Sequence, residues 1–328
     1  ANEQRTRMLN RDHDVSCPLC LARDNPILET VSFESLRQVY LKSAQFDIET
    51  CLRQPYQSSV LQLTRCQSCG LEFYPTVLEG NETLYEHFGK ANYYYMADKW
   101  EFREALKWIE DSRTVLEVGC GTGVFMEMVR ECFPEKRLVG LEYNQTASAI
   151  ARNKGFDVRA QSIEELASGV EQFDAVCAFQ VLEHVPNPDS FLKAVVGCLR
   201  GKGVCVLTVP NPDSFTKFAV NDFGNMPPHH LTRWSRNVMG WVADHHGLEI
   251  ASLQEEPVAA YHREWYRVTH LVRVLSAVLG IRWGRIETGF GHKVFNYGCR
   301  VIDRAVPKSL WRYNRFPGHT LLAVFRAS

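Results

Sequence analysis

The 328-residue sequence predicts an α/β protein: a doubly wound, mostly parallel sheet, with a small cysteine-bearing subdomain before it and a helical insertion ahead of the last strand. Three observations predict it. From Arg113 onward short apolar strands alternate with helices; one strand runs directly into the glycine turn Gly119-Cys120-Gly121-Thr122-Gly123; and two Cys-x-x-Cys pairs, Cys17/Cys20 and Cys66/Cys69, precede both. Such alternation implies parallel strands covered by helices on both faces.

Between the cysteine pairs lie short alternating apolar stretches, and Gly70 follows the second pair where the chain must turn tightly. Residues 84–109, with Tyr93-Tyr94-Tyr95, Trp100, Phe102, Leu106 and Trp108, read as a helical lead-in. The first buried strand is 114–118, followed by a helix over 124–133, a strand over 137–142 and a helix over 146–153. Strands 156–159, 173–179 and 204–209 complete the series, separated by helices 163–167 and 190–199. After Pro210 the regularity breaks. Strands are expected at 248–253 and 321–325, with amphipathic helices at 268–281 and 294–306 between them. The boundaries follow: a zinc-binding subdomain over 1–83, the core over 84–260, a basic helical insertion or lid over 261–318, and the last core strand over 319–328.

Composition excludes several classes. With 45% hydrophobic residues the chain is not disordered, its 21 glycines are too few for a collagen, and no apolar run reaches the roughly 18 residues of a membrane span. The 37 Lys+Arg nearly balance 38 Asp+Glu, but residues 261–328 carry +9 and residues 1–260 carry −10. Eleven cysteines suggest secretion, yet the polar start, residues 1–14, lacks an apolar signal core. The count is odd, and Cys120, Cys177, Cys198 and Cys205 sit in apolar runs as reduced core thiols do, so a cytoplasmic protein is expected.

The glycine turn lets backbone approach a ligand at the carboxyl end of the sheet. Glu142, 25 residues after Glu117, ends the next strand, where a carboxylate accepts both hydroxyls of a ribose. The spacing also fits a dinucleotide fold. However, the turn lacks the Gly-x-x-Gly ending, and Glu117 lies inside the first strand, close to where a cationic amino group sits.

On these motifs the chain resembles the class I S-adenosylmethionine-dependent methyltransferases, whose first motif is a Glu- or Asp-x-Gly-x-Gly-x-Gly run. The resemblance covers roughly residues 84–260 plus the last strand and implies a Rossmann-like methyltransferase fold binding S-adenosylmethionine. It implies that Glu117, Gly119, Gly121 and Gly123 bind the cofactor, with Gly119 and Gly121 facing its methionine part, Glu142 on the ribose, Tyr143 against the adenine, Ser162 and Ile163 at its exocyclic amine, and Gln180 near the methionine.

Gln180-Val181-Leu182-Glu183-His184 resembles the Glu-x-x-Glu-His metal site of ubiquinone-pathway O-methyltransferases, with Gln180 at the first acidic position. Glutamine is a poorer ligand for a hard cation, so no catalytic metal is expected there, and His184 is a candidate to orient substrate or relay a proton. Pro227-Pro228-His229-His230-Leu231 is similar to the histidine loop of sugar C-methyltransferases, which also carry an N-terminal zinc module. His230 falls at the position of their base. Pro228 and His229 replace the residues that would support an enolate, so O- or N-methyl transfer, needing one base, is expected over C-methylation. The flanking prolines are expected to leave both imidazoles at a loop tip.

Cys17, Cys20, Cys66 and Cys69 have the spacing of a tetrahedral, structural Zn²⁺ site with no open position for catalysis. In the basic segment Arg263, Arg267, Arg273, Arg282 and Arg285 accompany Tyr261, Trp265, Tyr266 and Trp283. That suits a lid over an anionic acceptor such as a nucleotide-diphosphate sugar, or a peripheral contact through residues 268–306 with a membrane carrying a lipid-linked glycan. Sugar O-methylation is therefore the first expectation. A small aromatic or quinone-like acceptor is the alternative, with sugar C- or N-methylation and a non-catalytic cofactor-binding scaffold behind it. No groove-entering module or stacking sheet for nucleic acid is visible.

Overall fold

In the computed structural model, residues 15–75, 78–89, 96 and 98–327 are described. Residues 1–14 and Tyr93-Tyr94-Tyr95 lie outside them. The amino-terminal part begins with β1 (Ile27–Ser32), α1 (Phe33–Ser43), β2 (Val60–Arg65) and β3 (Glu72–Phe73). The expected single lead-in helix is two, α2 (Glu82–Gly89) and α3 (Trp100–Trp108).

The core then runs β4 (Thr114–Val118), α4 (Val124–Cys132), β5 (Arg137–Leu141), α5 (Gln145–Asn153), β6 (Asp157–Arg159), α6 (Ile163–Ala167), β7 (Phe173–Phe179), α7 (Pro188–Cys198) and β8 (Leu199–Pro210). After β9 (Thr232–Arg233) come α8 (Arg236–His246), β10 (Leu248–Glu255), α9 (Arg263–Val278), α10 (Phe290–Ala305) and β11 (Thr320–Ala327). Seven strands form one sheet in the order β10-β11-β8-β7-β4-β5-β6. β11 is antiparallel to both neighbours, and the pairs from β8 through β6 are parallel.

Physical causes of these elements are local. β7 is almost wholly apolar because helices cover both its faces. Its one acid, Asp174, accepts the backbone N–H groups of Arg113 and Thr114 at 2.9 Å each and so fixes the start of β4. Side-chain caps from Asn144, Ser162 and Ser235 begin α5, α6 and α8. β8 starts five residues before its apolar signal, because Leu199 pairs with Phe173 and the polar residues Arg200-Gly201-Lys202-Gly203 bulge out before pairing resumes at Val204. α9 starts five residues early for a different reason: Arg267, in its first turns, is buried against Asp303 of α10 at 2.6 Å. Val268, Val272 and Cys299 pack those two helices together.

The amino-terminal sheet, ordered β1-β2-β3-β9, is not self-contained. β9 belongs to the segment after β8, yet pairs with β3 through Glu72↔Arg233 and Phe73↔Thr232. Cys17, Leu19, Cys66 and Cys69 pack in the same apolar core as Trp234 and Val238. No described helix is long and apolar enough to cross a membrane.

Candidate active site

The glycine turn leaves β4 at the middle of the sheet. Gly119 has φ +71°, and a Cβ there would stand 2.7 Å from Cγ2 of Val181, so a glycine both reaches this conformation and lets the segment after β7 close over it. Gly121 donates its N–H to Oε2 of Glu142 at 2.8 Å and Asn144 donates to Oε1 at 2.7 Å. A carboxylate has about four lone-pair sites, so each oxygen keeps one for a ribose hydroxyl. Glu117 is buried, its Oε2 without a partner, and burial holds its carboxyl well above the usual range. An orphaned buried carboxylate oxygen at the base of a glycine turn fits a ligand with a cationic amino group.

Tyr143, 65% exposed, lies beside Glu142 with its hydroxyl against Ser162. Ser162 is also the cap of α6, accepting from the Glu165 N–H at 3.0 Å while Glu165 takes the Ser162 N–H at 2.7 Å. The Ile163 side chain is buried in the core. Gln180 ends β7 in the left-handed region, φ +55°, with its N–H donated to Thr208 at 3.0 Å. Non-glycine residues held there mark positions that the surroundings over-determine.

From Gln180 the chain leads to the histidines. The structure corrects one expectation: His229 and His230 are not at a loop tip but only 7% and 8% exposed. The loop is drawn inward by its apolar neighbours Met226 and Leu231, which pack beneath α1 and β2. The rings of His229 and His230 meet that of His184, with centroids 4.6 and 4.7 Å away. Each Nδ1 faces an oxygen: His184 the His229 carbonyl at 2.5 Å, His229 the Gly224 carbonyl at 2.8 Å, and His230 Oδ1 of Asn225 at 3.0 Å. Oδ1 has only lone pairs to offer, as do the carbonyls, so the proton of each neutral ring resides on Nδ1.

Burial pulls His184 down to about 4 and His229 and His230 well below the usual imidazole value, so all three rings are neutral bases at pH 7. The same burial pushes Glu183 up to about 8. Its carboxylate lies 3.9 Å from Nε2 of both His184 and His230. Arg285, in the cavity described next, is one of the basic-segment arginines expected to face an anionic acceptor, whereas Glu183, Asn225 and Arg233 are not among the sequence candidates; of these three only Glu183 carries a signal, as the acid beside His184.

His230 also lines a cavity of about 510 Å³ at the carboxyl end of β8, with Asn211, Asn225, Arg65, Arg233 and Arg285. Arg233 reaches the Tyr74 hydroxyl at 3.2 Å, and Arg285 pairs with Glu29 at 3.0 Å. In the amino-terminal part the Sγ atoms of Cys17 and Cys69 are 3.6 Å apart, those of Cys20 and Cys66 3.3 Å, and all four lie within 4.8 Å of one another. None of the eleven cysteines is in a disulfide.

A nucleoside-type site on a central glycine turn, with buried bases at the next strand end, defines a group-transfer enzyme on a doubly wound sheet. A methyltransferase-domain family matches residues 86–253, just over half of the sequence, and the chain belongs to it. Its methyl donor is S-adenosylmethionine. The chain is 27% identical over 203 residues to a ubiquinone biosynthesis O-methyltransferase of Pseudomonas paraeruginosa, an alignment covering 50% of this chain and 87% of that one. To the ubiquinone biosynthesis O-methyltransferase of Bordetella avium it is 32% identical over 111 residues, covering 30% of this chain and 45% of the relative. A solved S-adenosylmethionine-dependent methyltransferase from Archaeoglobus fulgidus aligns with 69% of this chain and 90% of its own at 17% identity and a TM-score of 0.47. These names agree with the quinone-like alternative and not with the sugar acceptor expected first.

Proposed function

We propose that the protein O-methylates a small hydroxylated metabolite of quinone-precursor type, with its histidine cluster handling the acceptor's proton. The observation that carries this reading is His230: a neutral, buried imidazole in the wall of a cavity at the carboxyl end of β8, the strand beside β7. S-adenosylmethionine supplies a methyl group activated on a sulfonium. Glu142, Glu117 and the glycine turn hold the donor, while the cavity holds the acceptor hydroxyl in line. The new C–O bond forms as the S–CH₃ bond breaks, the bonding pair stays on sulfur, and Nε2 of His230 takes the hydroxyl proton. Loss of such a base costs about 10²–10⁴ in rate, so His230→Ala is expected to depress kcat by that order with donor affinity retained.

The acceptor class rests on two further supports, the names of the relatives and the outer face of α10. Phe290, Val294, Tyr297 and Val301 are 81%, 52%, 67% and 47% exposed and fall on one stripe. Lys293, Arg300 and Arg304 flank that stripe on one side at the helical angle. An apolar stripe with a basic border suits the surface of an anionic membrane, where a lipophilic acceptor resides. Phe290→Asp with Tyr297→Asp should abolish sedimentation with phosphatidylglycerol vesicles and leave turnover of a soluble acceptor intact.

The polar, cation-bearing wall of the cavity favours a second reading, a sugar-type anionic acceptor. Turnover on catechols against nucleotide-diphosphate sugars separates the two: methylation of catechols alone supports the first, of the sugars alone the second. The cysteines are proposed as a structural zinc site. Tetrahedral ligands at about 2.3 Å place sulfurs about 3.8 Å apart, which the two closest pairs approach. Purified protein without zinc would remove this part.

A further inference from the structure

We propose that Asn225 and Asp222 are positioning residues that hold His230 in the one tautomer able to act as a base. His230 turns Nδ1 to Oδ1 of Asn225 at 3.0 Å, and the Asn225 amide nitrogen donates to Oδ2 of Asp222 at 2.7 Å. All three residues line the same cavity. The inference rests on the O-methyl reading above, in which Nε2 of His230 takes the acceptor's proton.

A side-chain amide has an accepting and a donating end, and a neutral imidazole answers whichever end it meets. With Oδ1 toward the ring, Nδ1 carries the proton and Nε2 keeps its lone pair. With the amino end toward the ring, Nδ1 must accept, the proton moves to Nε2, and that nitrogen can no longer take one. Asn225 by itself selects neither orientation, because the two ends are nearly alike in size. Asp222 selects. An ionised carboxylate only accepts, and a carboxyl protonated on Oδ1 still accepts at Oδ2, so the amino end is drawn to it and Oδ1 is left for His230. Burial raises the Asp222 carboxyl, while its bond from Asn225 and the guanidiniums of Arg285 and Arg233 act in the opposite direction, toward the ionised form.

The turn that carries this pair, Phe223–Asn225, is held from two sides. Asn221, just before Asp222, lies in the left-handed region at φ +61°. It donates its N–H to the Arg285 carbonyl at 2.8 Å and its amide nitrogen to the Glu287 carbonyl at 2.9 Å, and it accepts the Glu287 N–H at 2.8 Å. From α1 the Tyr40 hydroxyl donates to the Phe223 carbonyl at 2.9 Å. A non-glycine residue kept in that conformation by three bonds marks a turn whose geometry the surroundings over-determine. The basic insertion and the amino-terminal part thereby both fix the orientation of the base.

The test reads the ring directly. In protein labelled with ¹⁵N-histidine, the two ring resonances of His230, assigned by their loss in His230→Gln, report which nitrogen carries the proton. The native chain should show the Nδ1–H form alone. Asp222→Asn keeps the side chain's size but lets the facing amide settle either way round, so an Nε2–H form of His230 should appear. Asn225→Leu removes the acceptor outright and should give that form a larger share. With a catechol as acceptor, kcat should fall about twofold or more in the first variant and about ten- to a hundredfold in the second, while the acceptor KM and the S-adenosylmethionine Kd stay within about twofold. His230 protonated on Nδ1 alone in both variants overturns the proposal. So does a loss of donor binding equal to the loss of kcat, which would make the role a merely structural one. Because the tautomer is read without an acceptor, turnover undiminished in His230→Ala would overturn the base reading and leave the tautomer result standing.

Discussion

Leu231 donates its backbone N–H to the carbonyl of Glu183 at 2.8 Å, fastening the histidine loop to the segment that follows β7. On its other side Leu231 accepts the N–H of Tyr74 at 2.8 Å, and β9 then joins β3. The histidines are thus strapped between the cofactor-binding sheet and the cysteine-bearing sheet, so the amino-terminal part acts on the site by holding its geometry.

Loosening the cysteine cluster should therefore impair chemistry more than donor binding. Cys66→Ser is expected to lower kcat while the S-adenosylmethionine Kd stays within about twofold, since the glycine turn is anchored elsewhere. Calorimetry beside single-turnover assays reads both; equal loss in both would refute the separation.

Gly119→Ala should damage the cofactor site directly. The left-handed φ costs a side chain about 1–2 kcal/mol, and the added Cβ meets Val181 at 2.7 Å. Donor affinity should fall by about tenfold or more, and Val181→Ala in the same chain should restore only the part due to contact. Full restoration would show that backbone conformation contributes nothing.

Glu142→Ala removes the acceptor of two backbone N–H groups as well as the ribose partner. Charge-assisted bonds contribute about 1.5–3 kcal/mol, so the donor Kd should rise roughly ten- to a hundredfold. Glu142→Gln, which keeps one acceptor, should lie between. An affinity unchanged by either variant would exclude Glu142 from the site.

Glu256 gives a pH signature away from the chemistry. It is buried, one oxygen accepting from the Thr320 N–H at 3.2 Å and the other unpartnered, and burial pushes its carboxyl from 4.5 to about 7. Because the folded value is raised, stability is fully present below pH 4.5, falls as the unfolded chain ionises first, and is lost through pH 7. Glu256→Gln should therefore gain stability relative to the native chain between pH 5 and pH 8, read as urea midpoints. Parallel pH profiles for the two proteins would contradict the shift.

The parallel core was legible because its signals are local: β4, β7 and β11 are apolar runs of strand length, and the glycine turn follows β4 without a gap. Element ends were less so. β8 reaches back across a polar bulge to one pairing, Leu199 with Phe173, and α9 carries in its first turns Arg267, neutralised by an aspartate 36 residues away. Those partners are set by tertiary contact, which periodicity does not encode.

By itself the sequence determined the doubly wound sheet, the glycine turn that follows β4 with Glu142 just past β5, and the spacing of the four thiols. Each follows from residues whose partners are near in the chain or whose pattern has a fixed period. Only the tertiary structure decided that His229 and His230 turn inward, that they meet His184, and that Glu183 stands unpartnered among them. That assembly depends on two loops brought together by Leu231 and by a strand lent to the amino-terminal sheet, because side-chain convergence is fixed by backbone pairing across long sequence separations.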